Sequence, residues 1–254
     1  MPSGKNKRRS RSLFALVLIC FFGAFIWWFY LREAPHFVRY NEFGIDIPTD
    51  YAIHGIDVSR HQSYIDWDEV KAMEVDNMQI DFAFIKATEG LRKVDDYFSR
   101  NWRKARNANM IRGAYHFFIA PKNGREQAMN FIHAVELESG DLPPVLDVEQ
   151  TYGAPPEKVR ANVKAFLETV QQYYGVMPII YTNVSFYDAY LSTGEFDRYP
   201  LWVAHYLQKD QPRITRDWLF WQHSENGRVN GILNQVDFDV FNGDSTTFKQ
   251  LLVE

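Results

Sequence analysis

Eight short runs of β-type residues, separated at first by segments of helical periodicity, do most to constrain the fold. They are Ile53–Val58, Phe82–Ala87, Gly113–Ile119, Val145–Glu149, Ile179–Thr182, Leu201–His205, Leu219–Gln222 and Val236–Phe241. Alternation of β and α segments predicts parallel strands joined by crossover helices. Asp66 followed by Glu69 opens a helix expected over Trp67–Asp76; Phe98, Trp102 and Ala105 share one helical face, and Ala128, Phe131, Ile132 and Val135 another. The clearest helix runs Pro155–Tyr174: Val159, Val163, Phe166, Leu167 and Val170 recur at helical spacing, and Gly175 follows the end. Beyond Thr182 the helical signal fades; residues 184–192 offer a short helix at most, and the later connections carry Gly, Pro and Asn. The pattern predicts an α/β fold, a modified TIM-like (β/α) barrel of eight strands with the last helices reduced or missing, for which 254 residues suffice. An open doubly wound sheet is the alternative, disfavoured because no GxGxxG phosphate loop follows a strand.

The N-terminus is a separate object. Residues 13–31 carry no charge and follow Lys5, Lys7, Arg8, Arg9 and Arg11. About 17–25 apolar residues suffice to cross the hydrocarbon layer as a helix. The basic cluster is expected to stay cytoplasmic, with Trp27, Trp28 and Tyr30 at the far interface. An uncleaved anchor is expected over a signal peptide, because the run exceeds a usual h-region and no small-x-small cleavage site follows it. The expected organisation is thus a basic segment and anchor over 1–34, a stalk over 35–50, and a barrel over 51–254 on the outer side of the membrane, in periplasm or at the cell surface.

Charge is distributed to match. Residues 1–34 hold six Lys or Arg and one Glu, a formal +5; the whole chain is −4, which leaves −9 for residues 35–254. An acidic body without a basic patch does not suit nucleic acid. The single cysteine, Cys20, lies in the apolar run, so the barrel uses neither disulfide nor thiolate.

Candidate chemistry centres on Pro143-Pro-Val-Leu-Asp-Val-Glu-Gln150. In a strand, Asp147 and Glu149 share a face with Cα atoms roughly 6.6 Å apart. Like charges held that close resist ionising together, so the pair can divide into an acid and an anion, as glycoside hydrolysis requires. A helix cap or a structural ion pair is the competing reading of the motif alone. In barrels of this kind chemistry sits at the C-terminal strand ends. Polar residues collect there: Asp57, Glu89, His116, Asp147 and Glu149, then Tyr181, Trp202, His205, Gln222 and Asp237. His54, His61, His116, His205 and His223 form no HExxH or close ligand pair, so neither metal nor cofactor is expected.

These segments, in this order, resemble the glycoside hydrolase family 25 lysozymes, the Chalaropsis-type muramidases. The matching residues are His54-Gly-Ile-Asp-Val-Ser59 with Gln62, Ile65-Asp-Trp67, Phe84-Ile-Lys-Ala-Thr-Glu-Gly90, Gly113-Ala-Tyr-His-Phe117, Leu142-Pro-Pro-Val-Leu-Asp-Val-Glu149, Ile179-Ile-Tyr-Thr182, Leu201-Trp-Val-Ala-His-Tyr206, Trp221-Gln222 and Val236-Asp237. They cover roughly residues 50–245. The resemblance implies a barrel with its last helices missing and cleavage of peptidoglycan glycan strands between N-acetylmuramic acid and N-acetylglucosamine. It implies that Glu149 is the general acid, Asp147 its ionised partner, and Asp57 and Asp237 supporting carboxylates. Tyr115, Tyr181, Trp202 and Gln222 are implied as sugar contacts, with Glu89 ambiguous and Phe117 mainly packing. Two departures stand out: Ser63 follows Gln62 where many relatives have Gly, and Asp239 stands where Asn is more usual.

The expected mechanism is net retention with the substrate's N-acetyl group as internal nucleophile. Two alternative classes are a catalytically silent peptidoglycan-binding module and a metal-dependent wall-polysaccharide deacetylase.

Overall fold

The computed structural model describes residues 21–22, 37–206, 208 and 211–254. The expected anchor over 13–31, apart from Phe21 and Phe22, lies outside the described residues. Among those described, no helix is long and apolar enough to cross a membrane. Residues 37–254 form one compact unit.

In chain order the strands are β1 (Phe37–Tyr40), β2 (Ile45–Pro48), β3 (His54–Val58), β4 (Glu74–Val75), β5 (Met78–Gln79), β6 (Phe82–Glu89), β7 (Lys93–Val94), β8 (Ile111–Phe117), β9 (Val145–Asp147), β10 (Ile179–Asn183), β11 (Leu201–Ala204), β12 (Phe220–Gly227) and β13 (Val236–Phe241). A closed eight-stranded barrel runs β3–β6–β8–β9–β10–β11–β12–β13 and returns to β3. All eight runs expected as strands are its staves. Seven lie parallel, whereas β13 is antiparallel to both β12 and β3. Helices α1 (Trp67–Ala72), α2 (Phe98–Asn107), α3 (Gly124–Ala134) and α4 (Pro156–Tyr174) cover the outside, and α5 (Ser245–Leu251) ends the chain. Between β10 and β11 there is only a helical turn, Val184–Phe186, running into a wider turn, Tyr187–Leu191.

Local chemistry sets the helix ends. Asp66 caps α1 by accepting from the backbone N–H of Asp68 and Glu69. This helix stops at Ala72 and not at the expected Asp76, because the chain reverses through Asp76 and Asn77 at φ 51° and 66°, left-handed conformations that Asp and Asn tolerate, into the β4–β5 hairpin. Gly175, at φ 73°, ends α4 where expected.

The barrel interior is layered. At its N-terminal end Phe82, Phe220, Phe241 and Phe248 meet edge to face or tilted, with centroids 5.0 to 6.5 Å apart, and seal the floor. Above them Phe84 stacks on Trp202 at 4.4 Å. Glycines make room: a Cβ on Gly55 would sit 2.3 Å from the Phe82 ring, and one on Gly113 2.5 Å from Phe84. Polar side chains occupy the next layer, at the C-terminal strand ends.

The stretch 35–50, expected as a stalk, is from Phe37 onward part of the folded body. The outer faces of β12 and β13 lack a covering crossover helix, and the β1–β2 hairpin packs there instead. Phe37 meets the Trp221 ring edge-on at 5.9 Å, Phe43 meets Phe238 at 5.5 Å, and the Arg228 N–H donates to the Phe43 carbonyl. Phe43, Ile45 and Ile47 are buried. His223 lies within this layer with both ring nitrogens unpartnered, and the Nδ1 of nearby His54 is likewise unpartnered.

Burial disfavours the charged rings and lowers His54 to about 4 and His223 to about 3. The unfolded chain takes up protons as pH falls through about 6.5, and the folded chain does not; this part of the stability is therefore complete above pH 6.5 and lost as pH drops towards 4. His223→Leu removes one such site. Its thermal midpoint should gain on that of the parent protein between pH 7 and pH 5, whereas a difference that stays constant with pH would contradict the assignment.

Candidate active site

Strand β9 ends at Asp147, and the extended chain beyond it carries Glu149. The expected sharing of a face holds, for the two carboxyls are within hydrogen-bond contact. Asp147 is buried, with Oδ1 unpartnered, whereas Glu149 is partly open to solvent. Burial foremost raises both above the usual carboxylate range, Asp147 the more strongly because Glu149 also repels its charge. Two groups so coupled titrate as a unit. Asp147 is the more enclosed of the two, and Glu149 presents the pair to solvent.

Opposite lies a second pair. Asp57 and Asp237 are register partners on β3 and β13, within hydrogen-bond contact. Asp237 is the second residue of its strand, so in a parallel stave it would lie at the sealed end; the reversal of β13 brings it to the mouth. Burial foremost, then Glu225, pushes Asp237 up to about 7, and burial with Asp237 and Asp239 raises Asp57 well above its usual range. A hydrogen-bond chain fixes Asp57: Gln222 Nε2 donates to its Oδ2, while Gln222 Oε1 accepts from the hydroxyls of Tyr181, at 2.8 Å, and Tyr206.

Between the pairs stand residues that sequence reasoning placed unevenly. Tyr115 is buried with its phenol facing Asp57, Asp147 and Asp237. Lys86, which was not singled out, lies on the inward face of β6 two residues past Phe84. Its Nζ acts on Asp147 and Glu149, donates to Glu89 at 2.8 Å and sits 4.4 Å from the Phe117 ring centroid. The available signal was a lone lysine continuing the inward alternation Phe82, Phe84. For Glu89, burial alone would raise the pKa, but the ammoniums of Lys86 and Lys93 overcome it and hold the group below the usual range.

Trp202, expected at the sugar, is a correction: it is 2% exposed, stacked on Phe84, and its indole N–H donates to Asp239 at 2.8 Å. It supports the site from beneath and offers no open face. His116 points outward, contacting Thr88 and Gln127. Among the described residues no three His, Cys, Asp or Glu side chains are grouped to hold a metal ion. The loop after β3 is tied down, with Ser59 and Gln62 forming a capping box and Gln62 Nε2 reaching the Gln235 carbonyl at 2.8 Å. Ser63 adopts φ 50°, a conformation glycine would take without strain.

The model of the glycosyl hydrolases family 25 matches residues 56–232. YegX of Escherichia coli K12 is 46% identical over 216 residues, covering 84% of this chain and 79% of YegX. Lysozyme M1 of Streptomyces globisporus is 35% identical over 215 residues, covering 78% of this chain and 71% of that protein. Among solved structures, a family 25 glycosyl hydrolase from Bacillus anthracis superposes with a TM-score of 0.74 at 33% identity, covering 85% of this chain and all of the other. Matched along most of its barrel and sharing the architecture of these enzymes, the chain belongs to glycosyl hydrolase family 25 and is a lysozyme-like glycoside hydrolase.

Proposed function

We propose that this protein is a membrane-anchored N-acetylmuramidase that cleaves the β-1,4 bond between N-acetylmuramic acid and N-acetylglucosamine, with Glu149 as general acid. The observation that carries the reading is the Asp147–Glu149 pair itself, two carboxyls in contact at the barrel mouth and both raised by burial, of which Glu149 is the more open to solvent. Glu149 protonates the bridging oxygen as the glycosidic bond breaks. The pair becomes doubly ionised only as the sugar ring becomes positive, so the repulsion that opposes a second charge in the resting site is offset by the ring in the transition state. Asp57, oriented by Gln222, and Asp237 hold the opposite wall.

Asp147 lies beside Glu149 and not across the sugar from it, so it is not placed as the base of an inverting pair that activates a water on the opposite face. This favours net retention, with the substrate's acetamido group as nucleophile and Asp147 orienting it. The apolar run 13–31 behind its basic cluster would hold the barrel at the outer face of the membrane, close to the wall.

Glu149→Gln in the full chain should cut release of reducing ends from purified peptidoglycan by about 10²- to 10⁴-fold, with the unfolding midpoint nearly unchanged. Mass spectrometry of the parent enzyme's products should show muramic acid at the new reducing ends, and NMR the retained anomer first; full activity in the variant would remove Glu149 from its role, and the inverted anomer would remove the acetamido route. Lys86 favours the ionised forms of Asp147 and Glu149. Lys86→Met should therefore move the alkaline limb of the pH–rate profile to higher pH; a shift the other way would mean that Lys86 does not act on the pair. N-terminal sequencing of membrane-associated protein should find residues before 13, and a chain beginning near residue 33 would show that the anchor is removed.

A further inference from the structure

Asp239 is a fifth carboxyl, which neither the motif reading nor the proposed mechanism uses. It is 0% exposed and points inward on β13 one layer beneath Asp237, between the acids above and the Phe241 ring below. One oxygen, Oδ1, accepts the Trp202 indole N–H at 2.8 Å, and the other, Oδ2, has no partner. Its register neighbours are Gly55 on β3 and Gln222 on β12, neither charged. The titratable groups acting on it or on which it acts are Asp237 on its own strand and Asp57 on β3; β11 contributes only the Trp202 indole, and β6 the Phe84 ring stacked on it. Lys86 acts on Asp147, Glu149 and Glu89, at the other side of the site.

A carboxylate so enclosed would have a single N–H for its charge and two acids overhead. Transfer of such an ion out of water costs far more than one hydrogen bond returns, so the group keeps its proton. Burial first, and Asp237 second, raise it well above the usual range. As a neutral acid it still accepts from Trp202. That ring meets Tyr181 at 4.4 Å and 61°, the Tyr181 hydroxyl donates to Gln222, and Gln222 donates to Asp57.

We propose that Asp239 is a positioning residue of this glycosidase: a neutral carboxyl beneath the acids that pins the Trp202 indole and, through Tyr181 and Gln222, fixes the Asp57 side chain. The proposal rests on the reading of Asp57, Asp147, Glu149 and Asp237 as the reacting site. Ionisation of Asp239 would place a further negative charge under the Asp57–Asp237 pair and disturb the chain that orients Asp57. Its deprotonation therefore contributes to the alkaline limit of activity.

The test compares kcat and KM on soluble peptidoglycan fragments across pH for the full-length parent enzyme, Asp239→Asn, Asp239→Leu, Trp202→Phe and Glu149→Gln, with thermal unfolding to confirm that each is folded. Asp239→Leu removes the acceptor and should lower kcat on the order of 10- to 100-fold, with little change in KM. Trp202→Phe removes the donor and should reproduce that loss, which keeps the test alive if the leucine variant fails to fold. Asp239→Asn keeps a neutral acceptor and should rescue kcat and carry activity to higher pH than the parent. Infrared difference spectra of parent minus Asp239→Asn at neutral pH should contain a carboxylic acid C=O band.

If the infrared band is missing, or Asp239→Asn loses as much as Asp239→Leu, Asp239 is ionised and the proposal is overturned. Parent-like kcat in folded Asp239→Leu and Trp202→Phe overturns the positioning role and leaves a purely structural one. Undiminished turnover in Glu149→Gln points to failure of the underlying site assignment instead, independently of the infrared result.

Discussion

Five carboxyl groups and one ammonium enclosed at one end of a narrow barrel set the terms for the rest of this structure. An eight-stranded barrel is just wide enough for side chains to fill it, so every inward position is a choice between apolar packing and buried polarity. Here the aromatic floor of Phe82, Phe220, Phe241 and Phe248 supplies a low-dielectric base, and Asp57, Asp147, Glu149, Asp237 and Asp239 stand above it with Lys86. Burial first, with repulsion added at Asp57, Asp147, Asp237 and Asp239, raises these groups above the usual carboxylate range. That arrangement also weakens the fold. A carboxyl raised above its unfolded pKa contributes stability that is complete below the unfolded value and lost as pH rises through the folded one. The acid cluster and the buried histidines therefore pull stability in opposite directions as pH changes.

Reversal of β13 is the topological feature that makes this cluster possible. A parallel last stave would have put the start of the Val236-Asp-Phe-Asp sequence at the sealed end, against the aromatic floor. Run backwards, the same four residues place Asp237 against Asp57 at the mouth and Asp239 directly beneath. The reversal also removes the need for a long crossover between β12 and β13, which leaves their outer faces bare. The hairpin Phe37–Pro48 fills that gap, so the missing helix and the packed N-terminal hairpin belong to one solution.

Much of this was legible in the sequence. The staves could be read because each is a short β-rich run bounded by turn residues, and the Asp147–Glu149 pair because period-two alternation is a local property. Asp237 was recognised, yet the direction of its strand was not, since an alternating pattern reads the same either way. The hairpin reads as a stalk because Phe-Val-Arg-Tyr and Ile-Asp-Ile-Pro are too short to reveal what they cover. Trp202 was assigned to the sugar because residue type does not distinguish an exposed ring from one stacked on Phe84 with its N–H spent on Asp239. Lys86 and Tyr206 were missed for the same reason, as their roles arise from partners distant in the chain.

The closing seam between β3 and β13 has a further consequence for how this enzyme comes into being. Asp57 lies near the beginning of the barrel, yet the amide that orients it arrives 165 residues later and the carbonyl that anchors Gln62 173 residues later. Contacts so remote in sequence are late to form, because the intervening chain must first surrender its freedom. A growing or truncated polypeptide thus carries the Asp-x-Glu dyad without its opposing wall. Assembly of the full acid site is therefore coupled to completion of the barrel.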